Sequence, residues 1–161
     1  MSNGIVQIYY GEGHGKSTVA FGTAIHMAGS GKTATIIEFL KGKIEAEQEY
    51  LKRFEPELKC FSFAKSDKYF LELSPEEQQE EVMNQKNGFN YGKKVASTGA
   101  CDLLVLDEIL GLVDLQVISF EEFKQLIDSR PEEMSIICTG RVLDDRIREL
   151  ADEIYNITPE K

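Results

Sequence analysis

The chain has 161 residues, of which 42% are apolar and 29% charged, a composition typical of one ordinary folded domain over residues 1–161. Its 28 acidic side chains outnumber 18 basic ones, and the resulting net charge of −10 argues against a nucleic-acid partner. The N terminus lacks the basic start of a signal peptide, and no apolar run approaches the ~20 residues that cross a bilayer, so we expect a cytoplasmic protein without a membrane partner.

The first predicted unit is a strand, a glycine-rich turn and a helix. An apolar strand over Ile5–Tyr10 leads into GEGHGKST, and a helix follows over Ser17–Ala28. Glycines allow backbone N–H groups to converge on one concavity, and the start of a helix adds positive potential. In such a site the lysine reaches phosphate oxygens, while a serine or threonine hydroxyl binds Mg²⁺ or a phosphate oxygen. The predicted phosphate-binding residues are Gly11, Glu12, Gly13, His14, Gly15, Lys16, Ser17 and Thr18.

Two observations bear on this interpretation. The standard pattern GxxxxGK[ST] requires a glycine where this chain has Tyr10, and the alternative is a glycine turn with a solvated lysine. A similar string, GSGKT at Gly29–Thr33, follows a helix and leads into a strand. We therefore interpret its glycines as a helix cap and turn, and its Lys32 as a surface residue. Only the first loop is expected to bind phosphate.

The second predicted strand, Ala34–Phe39, ends in FLKG. Lys41 and Lys43 come directly after it, where they are either ligand-facing charges or solvated loop lysines. The sequence leaves both interpretations open, and Lys41 is the nucleotide-binding candidate.

A third strand, Leu58–Phe63, precedes a long predicted helix. Ser74 is followed by proline at the first helical position and glutamate at the third, which together form a capping box. The helix is expected to run toward Gly99. Gly88 and Gly92 weaken it by up to ~1 kcal/mol each relative to alanine.

The fourth strand, Leu103–Leu106, carries Asp107 and Glu108 to its carboxyl end. In phosphate-loop proteins an aspartate at this position supports the hydrated Mg²⁺ that bridges phosphate oxygens. Asp107 is therefore the metal-side candidate, and Glu108 could order a magnesium-bound water or act as a base. Alternatively, any buried strand that ends in a solvated turn produces the same pattern.

The remaining predicted elements are a helix capped at Ser119, a strand over Ser135–Thr139 that runs into TGR, and a strand over Ile154–Ile157. Arg141 either clamps phosphate oxygens or is a surface arginine before a helix. The alternation of strands and helices predicts an α/β fold, with a doubly wound, mostly parallel sheet of about six strands and helices on both faces.

In their order along the chain, these motifs resemble the phosphate-loop corrinoid adenosyltransferases, which make adenosylcobalamin. That family shows a strand, a compact GNGKGKTT-like loop and a helix, then a strand ending FxKG, then LDE, TGR and an AD-containing segment. The counterparts here are GEGHGKST (11–18), FLKG (39–42), LDE (106–108), TGR (139–141) and AD (151–152). The resemblance spans nearly the whole chain and implies a RecA-like P-loop NTPase fold.

The resemblance also implies a reaction, in which the cobalt(I) of a reduced corrinoid attacks the 5′ carbon of ATP and triphosphate leaves. It implies ATP and a reduced corrinoid as substrates, Mg²⁺ on Ser17 and Asp107, catalytic roles for Lys16 and Glu108, and nucleotide contacts from Lys41 and Arg141. A homodimer and a reductase that supplies cob(I)alamin are the implied partners.

Two features differ from the family pattern. An aromatic loop of the type GFTW, which seats the corrin, is replaced here by FAKSDKYFLEL. Tyr69 and Phe70 either substitute for it or pack under the following helix. His14 stands where the family loop has a lysine.

Two other functions stay open: a small P-loop ATPase or kinase that uses Glu108 to position water or an acceptor, and a non-catalytic ATP-binding regulatory or carrier module.

Overall fold

Six strands form one sheet in the computed structural model, which describes residues 3–161 and so leaves the first two residues of the predicted domain outside. The strands are β1 Val6–Tyr10, β2 Ala34–Glu38, β3 Leu58–Ser62, β4 Leu103–Asp107, β5 Ser135–Gly140 and β6 Glu153–Asn156. All of their pairings are parallel, in the order β3-β2-β4-β5-β1-β6. The predicted parallel sheet is confirmed, and each strand lies within about a residue of its predicted position at either end.

Six α-helices connect these strands within residues 3–161. They are α1 Lys16–Gly29, α2 Glu45–Leu51, α3 Pro75–Thr98, α4 Ile109–Asp114, α5 Phe120–Ser129 and α6 Asp145–Arg148. The capping boxes predicted at Ser74 and Ser119 are both present, at the starts of α3 and α5. The short helices α2 and α4 were not predicted, because six or seven residues are too few for a periodic pattern. No helix in this part of the chain is long and apolar enough to span a membrane.

Helices cover both faces of the sheet, as the sequence predicts. On one face, Ala20 and Ala24 of α1 are fully buried against a cluster that includes Ile36 of β2. On the other face, Phe89 of α3 and Phe123 of α5 belong to a larger buried cluster. Burial of each large apolar side chain stabilises the fold by roughly 1.5–3 kcal/mol. The strands β2 and β4 are buried along their whole length because both of their faces are covered.

The helix α3 continues through its two glycines, which bring it close to the sheet. A Cβ built on Gly88 would lie 3.2 Å from ring atoms of both Phe39 and Phe63. A Cβ built on Gly92 would lie 3.4 Å from Ile37 of β2. The two glycines thus allow close packing of helix on sheet, which offsets their unfavourable helix propensity.

The second glycine string, at 29–33, forms the predicted turn after α1. Gly31 has a φ of +88°, and its N–H donates to the carbonyl of Ala28 at 3.2 Å. The N–H of Lys32 donates to Met27 at 3.1 Å, and the Lys32 side chain is exposed. These bonds satisfy the last carbonyls of the helix, so the interpretation of this string as a cap and turn is confirmed.

The strand order determines which residues meet. Because β5 lies between β1 and β4, the loop after β1 and the carboxylates after β4 flank the carboxyl end of β5. Carboxyl ends of parallel strands share one edge of the sheet, and such edges are where these folds bind ligands.

Candidate active site

The phosphate loop is held against the ends of two strands. The Gly11 N–H donates to the carbonyl of Gly140 at 3.2 Å, and the Gly13 N–H donates to the carbonyl of Ile157 at 2.8 Å. A Cβ on Gly11 would lie 2.3 Å from the Ile157 carbonyl oxygen, and a Cβ on Gly13 would lie 2.8 Å from it. Close backbone approach therefore requires glycine at both positions.

Lys16 begins α1 and lies inside the loop. Its Nζ donates a hydrogen bond to the carbonyl of Gly13 at 2.7 Å, and the residue is only 9% exposed. The helix is preceded by Gly15, whose φ is +108° and which offers no side-chain cap. The first N–H groups of a helix have no intrahelical partner and favour an anion. The alternative of a solvated lysine does not fit this burial.

A cavity of about 420 Å³ opens over the loop. Glycines and polar side chains form its walls, which suits a polyphosphate better than an apolar ligand. Glu108 and Arg141, from the ends of β4 and β5, join the loop residues around it. The full lining is Glu12, Gly13, His14, Gly15, Lys16, Ser17, Thr18, Glu108 and Arg141.

Asp107 is fully buried at the end of β4 and is the point where several elements meet. Ser17 Oγ and Thr139 Oγ1 each donate a hydrogen bond to its Oδ1 at 2.8 Å. Lys41 Nζ forms an ion pair with Oδ2 and also lies 3.0 Å from Ser17 Oγ. A buried carboxylate is tolerated only with such partners. The structure therefore brings together the two residues predicted for the metal, Ser17 and Asp107, and adds Lys41.

Lys41 is directed at this carboxylate by an unusual backbone conformation. Leu40 has a φ of +63°, in the left-handed region that costs a non-glycine residue roughly 1–2 kcal/mol. Its N–H donates to Gln85 Oε1 at 2.8 Å, and its carbonyl accepts from the Phe70 N–H at 2.7 Å. Burial alone would lower the pKa of Lys41, but the neighbouring carboxylates, Asp107 foremost, outweigh it and raise that pKa. Of the two interpretations left open, Lys41 is a charge that faces the site.

Glu108 is the residue immediately before α4, and its backbone φ is +67°. Its backbone N–H donates to Thr139 Oγ1 at 2.8 Å, so one threonine hydroxyl connects it to Asp107. The residue is 9% exposed, and burial, followed by the charge of Asp107, raises the pKa of its carboxyl. A carboxyl with a raised pKa holds a proton more readily than an exposed glutamate does.

A second, smaller cavity of about 120 Å³ adjoins the first, and Glu12, Glu108 and Arg141 line both. The Arg141 guanidinium lies 5.7 Å from the centroid of the Tyr69 ring, within the range of a cation–π contact. The rest of the lining is mainly apolar: Leu40, Tyr69, Leu71, Gly111, Asp114, Leu115 and Val142. Arg141 thus stands between a polar and an apolar part of one site.

The two aromatic residues considered for corrin binding, Tyr69 and Phe70, lie in different environments. Tyr69 is half-buried and lines the smaller cavity. Phe70 is 5% exposed, belongs to the core cluster and lines neither cavity. Each residue matches one of the two interpretations given for the pair: Tyr69 is available to a ligand, and Phe70 packs under α3.

Sequence reasoning missed several residues of the site. Thr139 is fully buried and bridges Asp107 and Glu108; its position at the carboxyl end of β5, in TGR, was the available signal. Leu71 and Val142 are more than half exposed at the mouth of the smaller cavity. Leu71 lies in one 3₁₀ turn and Val142 in a loop, and neither setting produces a periodic pattern, so no sequence signal identifies them.

The Ser17 hydroxyl and the Asp107 carboxylate are hard oxygen donors of the kind that Mg²⁺ prefers. Within residues 3–161, no group of three or more His, Cys, Asp or Glu side chains gathers into a metal cluster. Magnesium that accompanies a nucleotide commonly uses one or two protein ligands and takes the others from phosphate and water. The donor set therefore fits a magnesium ion that arrives with a nucleotide.

A further buried carboxyl, Glu38, ends β2 beside β4. Cys60 Sγ, a free thiol, donates to its Oε1 at 3.3 Å. Burial and, secondarily, the charge of Glu47 raise the pKa of Glu38 to about 7. The negative charge of the Glu38 carboxyl is one of the effects that raise the pKa of Lys41.

Comparison with known proteins identifies the family of this chain. Residues 2–161 match the family model described as ATP:corrinoid adenosyltransferase BtuR/CobO/CobP. The chain is 27% identical over 159 residues to the corrinoid adenosyltransferase of Escherichia coli (strain K12), covering 98% of this chain and 78% of that protein. The same figures hold for corrinoid adenosyltransferase CobA of Salmonella typhimurium. Among solved structures, flagellar accessory protein FlaH from Methanocaldococcus jannaschii shares the fold, with a TM-score of 0.66, 13% identity, and coverage of 97% of this chain and 72% of that chain.

Proposed function

This chain belongs to the ATP:corrinoid adenosyltransferase family, and from that premise we propose that its two adjoining cavities receive the two substrates of the reaction. The polar cavity over the phosphate loop takes the triphosphate of ATP. The apolar cavity and its exposed rim take an edge of the corrinoid. The observation that carries this proposal is the shared lining of the two cavities by Glu12, Glu108 and Arg141, which gives one ligand-binding surface a charged and an apolar end.

In the reaction, the cobalt(I) of the reduced corrinoid attacks C5′ of ATP. Cobalt supplies both electrons of the new cobalt–carbon bond and is formally oxidised to cobalt(III). The C5′–O5′ bond breaks, and triphosphate leaves with the oxygen and the electron pair of that bond. Because the nucleophile is a substrate, the protein needs no nucleophilic side chain of its own. Its contributions are the relative positioning of two substrates and stabilisation of charge on the leaving group.

The groups that stabilise the leaving triphosphate surround the larger cavity. Lys16 exchanges its hydrogen bond to the Gly13 carbonyl for a stronger, charge-assisted bond to a phosphate oxygen. The N–H groups at the start of α1 bind further oxygens. Arg141 holds the end of the triphosphate nearest the smaller cavity. In comparable sites, removal of one such donor lowers kcat by about 10²–10³.

We assign Mg²⁺ to the Ser17 hydroxyl and the Asp107 carboxylate, whose oxygens are joined by a 2.8 Å hydrogen bond. When bound there, the ion neutralises negative charge on the phosphate oxygens. Glu108 accepts a hydrogen bond from a water between its carboxyl and the nucleotide. The bond from the Glu108 N–H to Thr139 holds the backbone at this residue.

The apolar rim is the proposed contact surface for the corrinoid. The Arg141 guanidinium lies over one face of the Tyr69 ring. Three apolar residues that line the same cavity are between 38% and 53% exposed: Leu71, Leu115 and Val142. Neighbouring exposed apolar side chains of this kind mark a binding surface. Packing of a flat ring on them excludes water from the reacting cobalt.

Glu108 favours a second candidate function, an ATPase or kinase. A carboxyl with a raised pKa at the phosphate cavity, caused by burial and by Asp107, is placed to take a proton from water or from an acceptor hydroxyl. Such an enzyme would release phosphate or ADP. A non-catalytic ATP-binding module would form neither product.

The test is an anaerobic reaction of chemically reduced cobalamin with MgATP, followed by corrin absorption and by analysis of the nucleotide products. The proposal predicts a photolabile alkylcobalamin spectrum and triphosphate in equal amounts. Phosphate or ADP with an unchanged corrin spectrum would support the second candidate. ATP binding without any product would support a non-catalytic module.

The proposal also includes a reductase partner, a homodimer and a cytoplasmic location. Cobalt(I) is generated by reduction, so we propose a cytoplasmic reductase as the source of the reduced corrinoid. A homodimer, on the pattern of the family, is proposed to cover the exposed rim, and sedimentation measurements with and without the corrinoid test it.

A further inference from the structure

Lys41 contacts the same two groups that the proposed function assigns to the metal ion, the Asp107 carboxylate and the Ser17 hydroxyl. Its ammonium group forms an ion pair with Asp107 Oδ2 and lies 3.0 Å from Ser17 Oγ. The Asp107 side chain is fully buried, whereas 31% of the Lys41 side chain is exposed. The lysine therefore reaches from a partly open position into the place where the metal would bind.

The backbone that carries Lys41 is held in place, so breaking this contact requires movement of the side chain only. Leu40, immediately before it, is 3% exposed and is held by the bonds from its N–H to Gln85 and from the Phe70 N–H to its carbonyl. Gly111 leaves space for the Leu40 side chain, because a Cβ there would lie 2.5 Å from Leu40 Cδ1. Release of the ammonium group from Asp107 requires rotation of the Lys41 side chain and no movement of the loop.

An ammonium group and a divalent cation exclude one another at these donors. Magnesium binds oxygens at about 2.0–2.1 Å and would lie between the Asp107 carboxylate and the Ser17 hydroxyl. The Lys41 Nζ contacts both of these groups, so the two cations compete for space and repel each other. A metal ion that enters without an anion must displace Lys41 from its ion pair with Asp107. A metal ion that enters with a nucleotide brings phosphate oxygens as new partners for the lysine.

We propose that the Lys41 ammonium group occupies the metal position in the nucleotide-free protein and is displaced from it only by a magnesium–nucleotide complex. This inference rests on the metal role proposed for Ser17 and Asp107. Once displaced from Asp107 and Ser17, the Lys41 side chain turns its charge to the triphosphate in the phosphate cavity, which Ser17 also lines. The lysine thereby neutralises Asp107 before substrate binds and the leaving group afterwards. The metal site consequently has low affinity for free Mg²⁺ and admits the ion as part of its substrate.

Manganese binding, measured by electron paramagnetic resonance on the full chain, tests this role without any catalytic turnover. Wild-type protein is expected to bind Mn²⁺ weakly in the absence of nucleotide and tightly in the presence of ATP. Lys41→Met should bind nucleotide-free Mn²⁺ about tenfold or more tighter than wild type, because the competing charge is gone. Lys43→Met is the matched control: Lys43 is exposed on the same loop, and its replacement should leave Mn²⁺ binding unchanged.

Equal nucleotide-free affinities of wild type and Lys41→Met, with Mn²⁺ still bound in the presence of ATP, would overturn the role of Lys41 alone. Binding of the preformed Mn²⁺–ATP complex that is as tight in Ser17→Ala as in wild type would overturn the metal assignment as well, because ATP alone binds Mn²⁺ through its phosphates. Lys41→Arg keeps the charge and should retain weak nucleotide-free binding. If Lys41→Met does not fold, wild type and Lys41→Arg decide: tight nucleotide-free Mn²⁺ binding by either would contradict the proposal.

Discussion

Ser17 Oγ donates a 2.8 Å hydrogen bond to Asp107 Oδ1, although the two residues are 90 positions apart in the chain. The bond joins the first turn of α1 to the end of β4, across the strand β5 that lies between β1 and β4. Thr139, at the end of that intervening strand, donates to the same carboxylate oxygen. Three elements of the sheet edge thus converge on one buried charge, and the proposed chemistry depends on this convergence.

Replacement of Lys16 by alanine is expected to abolish triphosphate formation or to lower its rate by at least about 10²-fold, because a principal donor to the leaving group is lost. The lysine of the second glycine string provides the control. Lys32→Ala removes the same side chain from a similar sequence, but Lys32 is exposed in the turn after α1 and should leave activity unchanged. The rates are compared in the anaerobic triphosphate assay. Equal losses in both variants would contradict the assignment of the phosphate loop.

Adjacent aromatic residues are expected to respond differently to truncation. Tyr69→Ala should raise KM for the corrinoid with little effect on ATP binding or on unfolding free energy, because Tyr69 is half-buried at the cavity rim. Phe70→Ala should destabilise the fold by about 3–5 kcal/mol, as for other buried phenylalanines. Urea unfolding and corrinoid titration of the two variants measure these effects. A corrinoid KM that is unchanged in Tyr69→Ala would remove Tyr69 from the proposed corrinoid surface.

Two helical glycines should differ in their response to alanine. Gly22 in α1 has open space around its missing side chain, so Gly22→Ala should stabilise the fold by about 0.5–1 kcal/mol. Gly88→Ala gains the same helix propensity, but its Cβ would lie 3.2 Å from Phe39 and Phe63. Crowding of this kind typically costs about 1–3 kcal/mol, so the substitution should be neutral or destabilising. Equal stabilisation by both substitutions, measured by urea unfolding, would show that α3 is not closely packed on the sheet.

The buried carboxyl of Glu38 should make stability depend on pH. Burial, then Glu47, raises its pKa from 4.5 to about 7, whereas the Cys60 thiol and Lys41 act in the opposite direction. The native state therefore binds more protons than the unfolded state between these values. The stabilisation is fully present below pH 4.5 and is lost as the pH rises through about 7.

Glu38→Gln removes this titration. Its unfolding free energy relative to wild type should rise between pH 4.5 and pH 7, by up to about 3 kcal/mol. Urea unfolding of both proteins at several pH values measures the difference. A difference that stays constant across this range would show that the carboxyl is ionised in the folded protein throughout.

The strands and the phosphate loop could be predicted because their signals are local. Apolar runs ending in polar residues identified β1 and β4, and the capping boxes located the starts of α3 and α5. Ser17 and Asp107 could be paired because carboxyl ends of parallel strands share an edge.

The contacts of Lys41 and Arg141 could not be derived in the same way. The ion pair of Lys41 with Asp107 depends on the left-handed conformation of Leu40, which no local pattern requires of a leucine. The contact of Arg141 with Tyr69 joins segments more than 70 residues apart, and it follows only from the path of the chain between β3 and α3. These are tertiary relationships that local propensities do not encode.

The most direct test of the central claim identifies the bond of ATP that is broken. ATP labelled with ¹⁸O at the 5′ bridging oxygen is reacted anaerobically with cob(I)alamin, and the released polyphosphate is analysed by mass spectrometry. Cleavage between C5′ and O5′ predicts intact triphosphate that carries the label, in an amount equal to the adenosylcobalamin formed. Label that remains on the nucleoside, or release of unlabelled phosphate, would mean that a phosphorus–oxygen bond is broken instead and would contradict adenosyl transfer at this site.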